Sequence, residues 1–230
     1  MVLGIGEDMR TLSARAAHPL VPSGMAFSIW GVIYGYSLLA AIVGLFIKSD
    51  NRATDKVLLR AAAIMYGCNT LWSIWVPLFG FDEFSIVVII VSALSGISAL
   101  IMTGPLTRTF KETLWYFGPL ALLTGWTTAA SVLNLTSYLV SHASILDPTN
   151  PVISAIFLGL VIFIGAVLTL VIKSRLYSIP VLWALFWVMH ANSQPDSPKL
   201  MADTAVIGLM IVGCAALAAR LRLKLRGAVS

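Results

Sequence analysis

Charge is scarce in this 230-residue chain: Asp, Glu, Lys and Arg together make up 11% of it, against about 25% in an ordinary soluble domain. A soluble enzyme is excluded on that ground. Cysteine is scarcer still, with only Cys68 and Cys214, both inside apolar runs. Neither a disulfide framework nor a thiolate zinc site has its donors. No paired intramembrane carboxylates, Ser/His/Asp set or phosphate-cradling glycine loop is visible, so the chain is expected not to be an enzyme.

What fills the sequence instead is apolar: 59% hydrophobic residues and a mean hydropathy of +0.92. A helix of about 20 apolar residues crosses the ~30 Å hydrocarbon layer, and such runs lie at about 26–47, 58–81, 84–104, 114–140, 152–172, 177–192 and 201–220. A membrane β-barrel would show short stretches of alternating polarity, whereas these runs are apolar on every face. The fold class is therefore all-α, a polytopic membrane helix bundle of about seven transmembrane helices. The domain reading is an extramembrane segment at 1–25, a helical core at 26–141, further transmembrane helices at 142–221 and a basic tail at 222–230.

The connections divide by charge. Lys48, Arg52, Lys56, Arg60, Arg108, Lys111, Lys173, Arg175, Arg220, Arg222, Lys224 and Arg226 fall on one side, and Arg10, Arg15 and Lys199 on the other, with Asp82, Glu83 and Asp147. The positive-inside rule then places the N-terminus outside and the C-terminus inside a bacterial inner membrane or an organelle membrane. The net charge of +5 follows from these loops and is no sign of a nucleic-acid partner. Residues 1–25 hold no run long enough for a signal peptide. The first helix is thus expected either to insert as a reverse anchor or to follow a further helix upstream of Met1.

The informative intramembrane residues are polar or aromatic: Trp30 and Tyr34 in the first run, Tyr66, Asn69, Trp72 and Trp75 in the second, Trp126, Thr127 and Asn134 in the fourth. Spacings of four, three and eight put Trp30 with Tyr34, Asn69 with Trp72 and Trp126 with Asn134, each pair on one helical face. Two readings stay open. Such residues pin helices together through interhelical hydrogen bonds, or they line an aromatic pocket with a few placed polar groups. Pro77 would bend the second helix where a cavity could open.

Three blocks carry a family resemblance: Pro22-Ser-Gly-Met-Ala-Phe27-Ser-Ile-Trp30-Gly-Val-Ile-Tyr34, then Asn69-Thr-Leu-Trp72 with Pro77-Leu-Phe79-Gly80, then Trp126-Thr-Thr-Ala-Ala130-Ser-Val-Leu133-Asn134. In this order they resemble the second, third and last helices of the TspO/MBR family, the tryptophan-rich sensory proteins related to the translocator protein. The resemblance covers about Pro19 to Ser141 and is closest to the long, divergent microbial branch. The family's first helix has no counterpart before Pro22, and its Trp-x-Pro-Pro loop is replaced by His18-Pro19-Leu-Val-Pro22. The resemblance implies a helical pocket, with Trp30, Tyr34, Asn69, Trp72, Trp126 and Asn134 as ligand-binding residues. The implied ligand is a hydrophobic planar molecule, a tetrapyrrole such as porphyrin or haem, or a sterol-like lipid. A sensor or carrier is the expected function; a non-catalytic accessory subunit of a larger membrane complex is the alternative.

Other features carry less. The last run lacks the mid-membrane lysine that a retinal Schiff base needs, and Asp203 is explained by the helix N-terminus it follows. His190, after Trp183 and Trp187, reads as interfacial or as an axial haem ligand. His18 and His142 both fall in outer connections and could meet, but no cluster completes a metal site. Small residues four apart (Ala63 and Gly67, Ser92 and Gly96, Ser95 and Ala99) allow close helix approach within the bundle or across a homodimer. Membrane lipids are the other expected partner.

Overall fold

The computed structural model describes residues 17–46, 52–104, 109–142, 146–195, 197 and 199–227. Most of the expected segment 1–25, and the cations Lys48 and Arg108, lie outside the described residues. Among those described the chain is helical throughout, with no strand. A 3₁₀ turn, Gly24–Ser28, leads into α1, Ile29–Gly44. Then come α2, Arg52–Phe79, and α3, Glu83–Thr103. A short turn, Phe110–Glu112, and a π-helical turn, Thr113–Phe117, open onto α4, Gly118–Ser141. The last three are α5, Pro151–Ile172, α6, Arg175–Ala191, and α7, Lys199–Gly227.

The seven expected runs match these seven helices, with the largest displacements at two ends. Helix α2 begins at Arg52 rather than 58, and α7 continues to Gly227 rather than stopping at 220, so the expected basic tail is partly helical. Apolar runs mark where hydrocarbon begins. Backbone hydrogen bonding does not stop there, and a helix rich in Leu, Arg and Lys continues into water at little cost.

Local chemistry sets the sharper ends. Gly80 takes a positive φ of 81° just after Phe79, a conformation that glycine adopts without penalty. Two residues on, Asp82 caps α3: its carboxylate accepts from the Ser85 N–H at 2.8 Å, and the Ser85 hydroxyl bonds the Asp82 backbone in return. This reciprocal box satisfies two of the unpaired groups at a helix start. Thr109 and Glu112 form a second such box at the entry to the fourth helix. Asn150 caps α5, with Pro151 as its first residue.

Helix α4 is the axis of the bundle. Helices α2 and α3 pair and join it on one side, α5, α6 and α7 pack together on the other, and α1 leans on α4 and the π-helical turn while hardly touching α2. Among the described residues five helical stretches are long and apolar enough to cross a membrane: Gly24–Gly44, Thr54–Phe79, Glu83–Thr103, Pro151–Ile172 and Lys199–Ala219. They present aliphatic side chains outward, among them Leu38, Ile74, Leu94, Ile156, Phe163 and Met210. An apolar surface on this scale belongs in lipid, so the chain is a multi-pass membrane protein. The two remaining helices are shielded. Helix α4 carries Thr124, Thr127, Thr128, Ser131 and Thr136, each hydroxyl bonded back to a carbonyl three or four residues earlier. A helix walled in by protein can hold hydroxyls that lipid would exclude.

A close crossing lies between α4 and α6. A methyl group on Gly125 would overlap the carbonyl oxygen of Tyr177, and Pro180 lies close by. Gly96 is similarly enclosed by Thr124 and Met65, and Ser92 and Ala99 are buried. The pair Ala63 and Gly67 behaves differently: both are exposed, with nothing near Gly67.

Candidate functional site

One face of α4 builds the site. Trp126, Ala129, Ala130, Leu133, Asn134 and Ser137 recur at helical spacing, and all line a pocket between α2, α4, α5 and α6. Trp72 of α2, Leu158 and Val161 of α5, and Ala184, Leu185 and Val188 of α6 complete its walls. Leu20, Pro22, Phe27 and Trp30 close it from the N-terminal side. The Trp30 ring meets Trp126 edge to face at 5.9 Å and stacks on Tyr34 at 5.2 Å. The cavity has a volume of about 50 Å³, and a water occupies about 30 Å³ of liquid.

Four of the six residues expected to bind ligand line this pocket: Trp30, Trp72, Trp126 and Asn134. Tyr34 and Asn69 do not. Tyr34 is 38% exposed on the outer side of Trp30. Asn69 is 1% exposed, but its amide donates to the Met65 carbonyl at 2.7 Å and to the Ser92 hydroxyl at 2.9 Å, locking α2 onto α3. Helices one, two and four therefore do not form a simple triplet, because α3 stands between α2 and α4.

Polar groups at the pocket wall are largely engaged with each other. The Trp72 indole donates to the Asn134 side-chain oxygen at 2.9 Å, and the Asn134 amide donates to the Ser85 hydroxyl at 2.9 Å. Ser85 in turn bonds Asp82, which accepts from the Trp75 indole at 2.9 Å. One chain of hydrogen bonds thus runs from α2 through the cap of α3 to α4. By contrast, the Trp126 indole N–H, on a residue 2% exposed, has no hydrogen-bond partner among the described residues. A buried indole N–H normally finds an acceptor.

Residues 18–27 form a strap over the pocket that the spacing of motifs did not reveal. Asn192 donates to the Pro19 carbonyl at 2.8 Å, the Ser23 N–H reaches the Trp187 carbonyl at 3.3 Å, and the Trp183 indole donates to the Ala26 carbonyl at 2.9 Å. The stripe of Trp183 and Trp187 on α6 therefore anchors the strap. His18, the first residue of the strap, is buried, 3.4 Å from the Ser137 hydroxyl. Burial lowers its pKa from 6.5 to about 4, so it is neutral at ordinary pH. His190 is exposed against Trp187 and absent from the pocket wall, and His142 stacks on Tyr138 instead of meeting His18. Asp203 is exposed in the first turns of α7. Among the described residues no group of three His, Cys, Asp or Glu side chains could hold a metal ion.

Compared with known families, the chain matches the model described as TSPO-like protein over residues 3–218. It belongs to the TSPO-like family. The match runs past Ser141, the end of the stretch that carries the motif resemblance, and takes in α5, α6 and most of α7 of this TSPO-like protein. No curated protein and no solved structure matches it.

Proposed function

We propose that this TSPO-like membrane protein binds a flat, mostly apolar molecule, a tetrapyrrole or a sterol-like lipid, in the pocket under residues 18–27, as a sensor or carrier without turnover. The observation that supports it best is the aromatic wall of Trp30, Trp72 and Trp126 around an apolar cavity. Each ring offers stacking of about 0.5–1.5 kcal/mol beyond area burial. The unpartnered Trp126 indole supplies one donor for a carbonyl, carboxylate or hydroxyl oxygen. Among the described residues the pocket wall holds no histidine, cysteine or methionine, so it suits a metal-free porphyrin or a sterol better than haem held by its iron.

Size makes the strap part of the reading. Ligand sites for molecules of this kind measure about 300–1,000 Å³, and the closed cavity offers about 50 Å³. Releasing the three strap hydrogen bonds costs about 1 kcal/mol each. A ligand bound at micromolar strength, about 8 kcal/mol, would then make contacts stronger by roughly 3 kcal/mol than that figure. Orientation follows the loop charges, with the cation-rich ends of α2, α4 and α7 inside. Membrane lipids are its constant partners, and a homodimer or a larger complex would use the exposed apolar faces.

Tryptophan-quenching titrations with protoporphyrin, haem and a cholesterol analogue test the proposal. Binding of protoporphyrin or the sterol that weakens at least tenfold in Trp126→Ala and Trp30→Ala is expected. Absent binding, or binding unchanged in both variants, would leave the tryptophans as packing elements of a structural subunit.

A further inference from the structure

A second opening, sharing no residue with the aromatic pocket, lies between α1 and α2. Its volume is about 840 Å³. Small side chains make its walls, Ala40, Ala41 and Gly44 on α1 and Ala62 on α2, while Leu45 and Leu59 at its lips are exposed. The two helices hardly touch along this stretch, so the slot faces sideways into the bilayer.

Its dimensions point to one leaflet. On α2 the slot runs from Asp55 to Tyr66, which at 1.5 Å per residue is about 16 Å, half of the ~30 Å hydrocarbon thickness. At the mid-membrane end it is closed by the hydrogen bond from the Tyr66 hydroxyl to the Ser37 hydroxyl. At the other end stand Trp115 and Tyr116 of the π-helical turn, ring types that settle at the headgroup level. Lys56, next to Asp55, and Lys111, on the short turn before Trp115, are exposed, as is Arg60 one turn further along α2. A sideways-opening slot of one-leaflet length, with aromatic rings at one end, matches the shape and polarity of a lipid whose headgroup lies at that end.

We propose that the slot is a binding site for a single diacyl phospholipid of the cation-facing leaflet. Its chains lie between α1 and α2 below the Tyr66–Ser37 bond, and its phosphate sits among Lys56, Arg60 and Lys111. Basic clefts between transmembrane helices hold phospholipid headgroups in this way. The Asp55 carboxylate in the wall has contacts of its own within the protein, and the headgroup phosphate stays on the outer, cationic rim. The site is independent of the function proposed for the aromatic pocket.

Native mass spectrometry of the full chain, purified in mild detergent from bilayers of phosphatidylglycerol and phosphatidylethanolamine, tests this. One phospholipid per chain is expected to survive delipidation. Slot-filling Ala41→Phe and Ala62→Phe should lower its retention at least tenfold, whereas Leu38→Phe, on the exposed face of α1, should leave it unchanged. Equal retention in the filled variants, or none in the original chain, overturns the proposal. Photolysis of the unmodified protein with a phosphatidylglycerol carrying a chain-borne diazirine gives an answer even if the filled variants do not fold. Label within residues 40–45 and 58–66 supports the site, and label confined to the outer faces of α5 and α7 overturns it.

Discussion

The Trp72 indole N–H donates to the side-chain oxygen of Asn134 at 2.9 Å, joining residues 62 positions apart in sequence. The two helices concerned, α2 and α4, otherwise meet little, since α3 fills the space between them. Both residues are buried, Asn134 at 2% exposure. Removing one partner of such a pair leaves the other unsatisfied, at about 1–3 kcal/mol.

From that follows a double-mutant test. Asn134→Leu should destabilise the bundle by about 2 kcal/mol, because it strands the Trp72 indole and removes one donor from the Ser85 hydroxyl, which keeps its bonds to Asp82. Combining it with Trp72→Phe should cost less than the sum of the single changes. Additive losses in a detergent unfolding titration would show that the bond contributes nothing.

Two glycines separate close packing from mere small size. Gly125→Ala should destabilise by about 2 kcal/mol or more, because the added methyl overlaps the Tyr177 carbonyl and forces α4 and α6 apart. Gly67→Ala, with open space around it, should be neutral or slightly stabilising, since alanine favours helix by up to about 1 kcal/mol. Equal melting temperatures for the two variants would contradict this assignment.

His18 makes the strap sensitive to acid. Its folded pKa of about 4 lies below the unfolded value of 6.5, so protonation favours the exposed imidazole. Its stabilising effect is complete above pH 6.5 and declines as the pH falls toward 4, by up to roughly 3 kcal/mol. Limited proteolysis of residues 17–27 should accelerate between pH 6.5 and 4.5, and His18→Gln should flatten that profile. Acceleration of the same size in the variant would assign the effect to another group.

Strap closure and ligand entry should compete. Asn192→Ala removes the bond to the Pro19 carbonyl, worth about 1 kcal/mol. Protoporphyrin affinity should therefore rise up to about fivefold, as expected when the open form is scarce. Weaker binding in this variant would mean that residues 18–27 grip the ligand and do not stand in its way.

Orientation is checked by labelling. In a chain lacking Cys68 and Cys214, a cysteine at Asp147 should react with an impermeant reagent in intact cells, and one at Gly227 should not. The opposite pattern would invert the topology.

Hydrophobic run length alone was enough to place seven helices and the all-α class, because in lipid the backbone must satisfy its own hydrogen bonds and leaves few alternatives. The Trp and Asn spacings also located four of the pocket residues, since a face shared along one helix is a local property. Which neighbour each polar group meets is not local. Asn69 and Asn134 read alike in sequence, yet one closes on Ser92 of the adjacent helix and the other bridges Trp72 and Ser85. Residues 18–27 lie over the pocket through bonds to Trp183, Trp187 and Asn192, more than 150 positions away. No periodicity carries such a pairing. Composition therefore determined the solvent, the helices and their inward faces, whereas only packing decided that α4 is the shielded axis, that α4 and α6 cross closely at Gly125, and that α1 stands apart from α2 to leave a slot between them. Those outcomes depend on the shapes of several surfaces meeting at once.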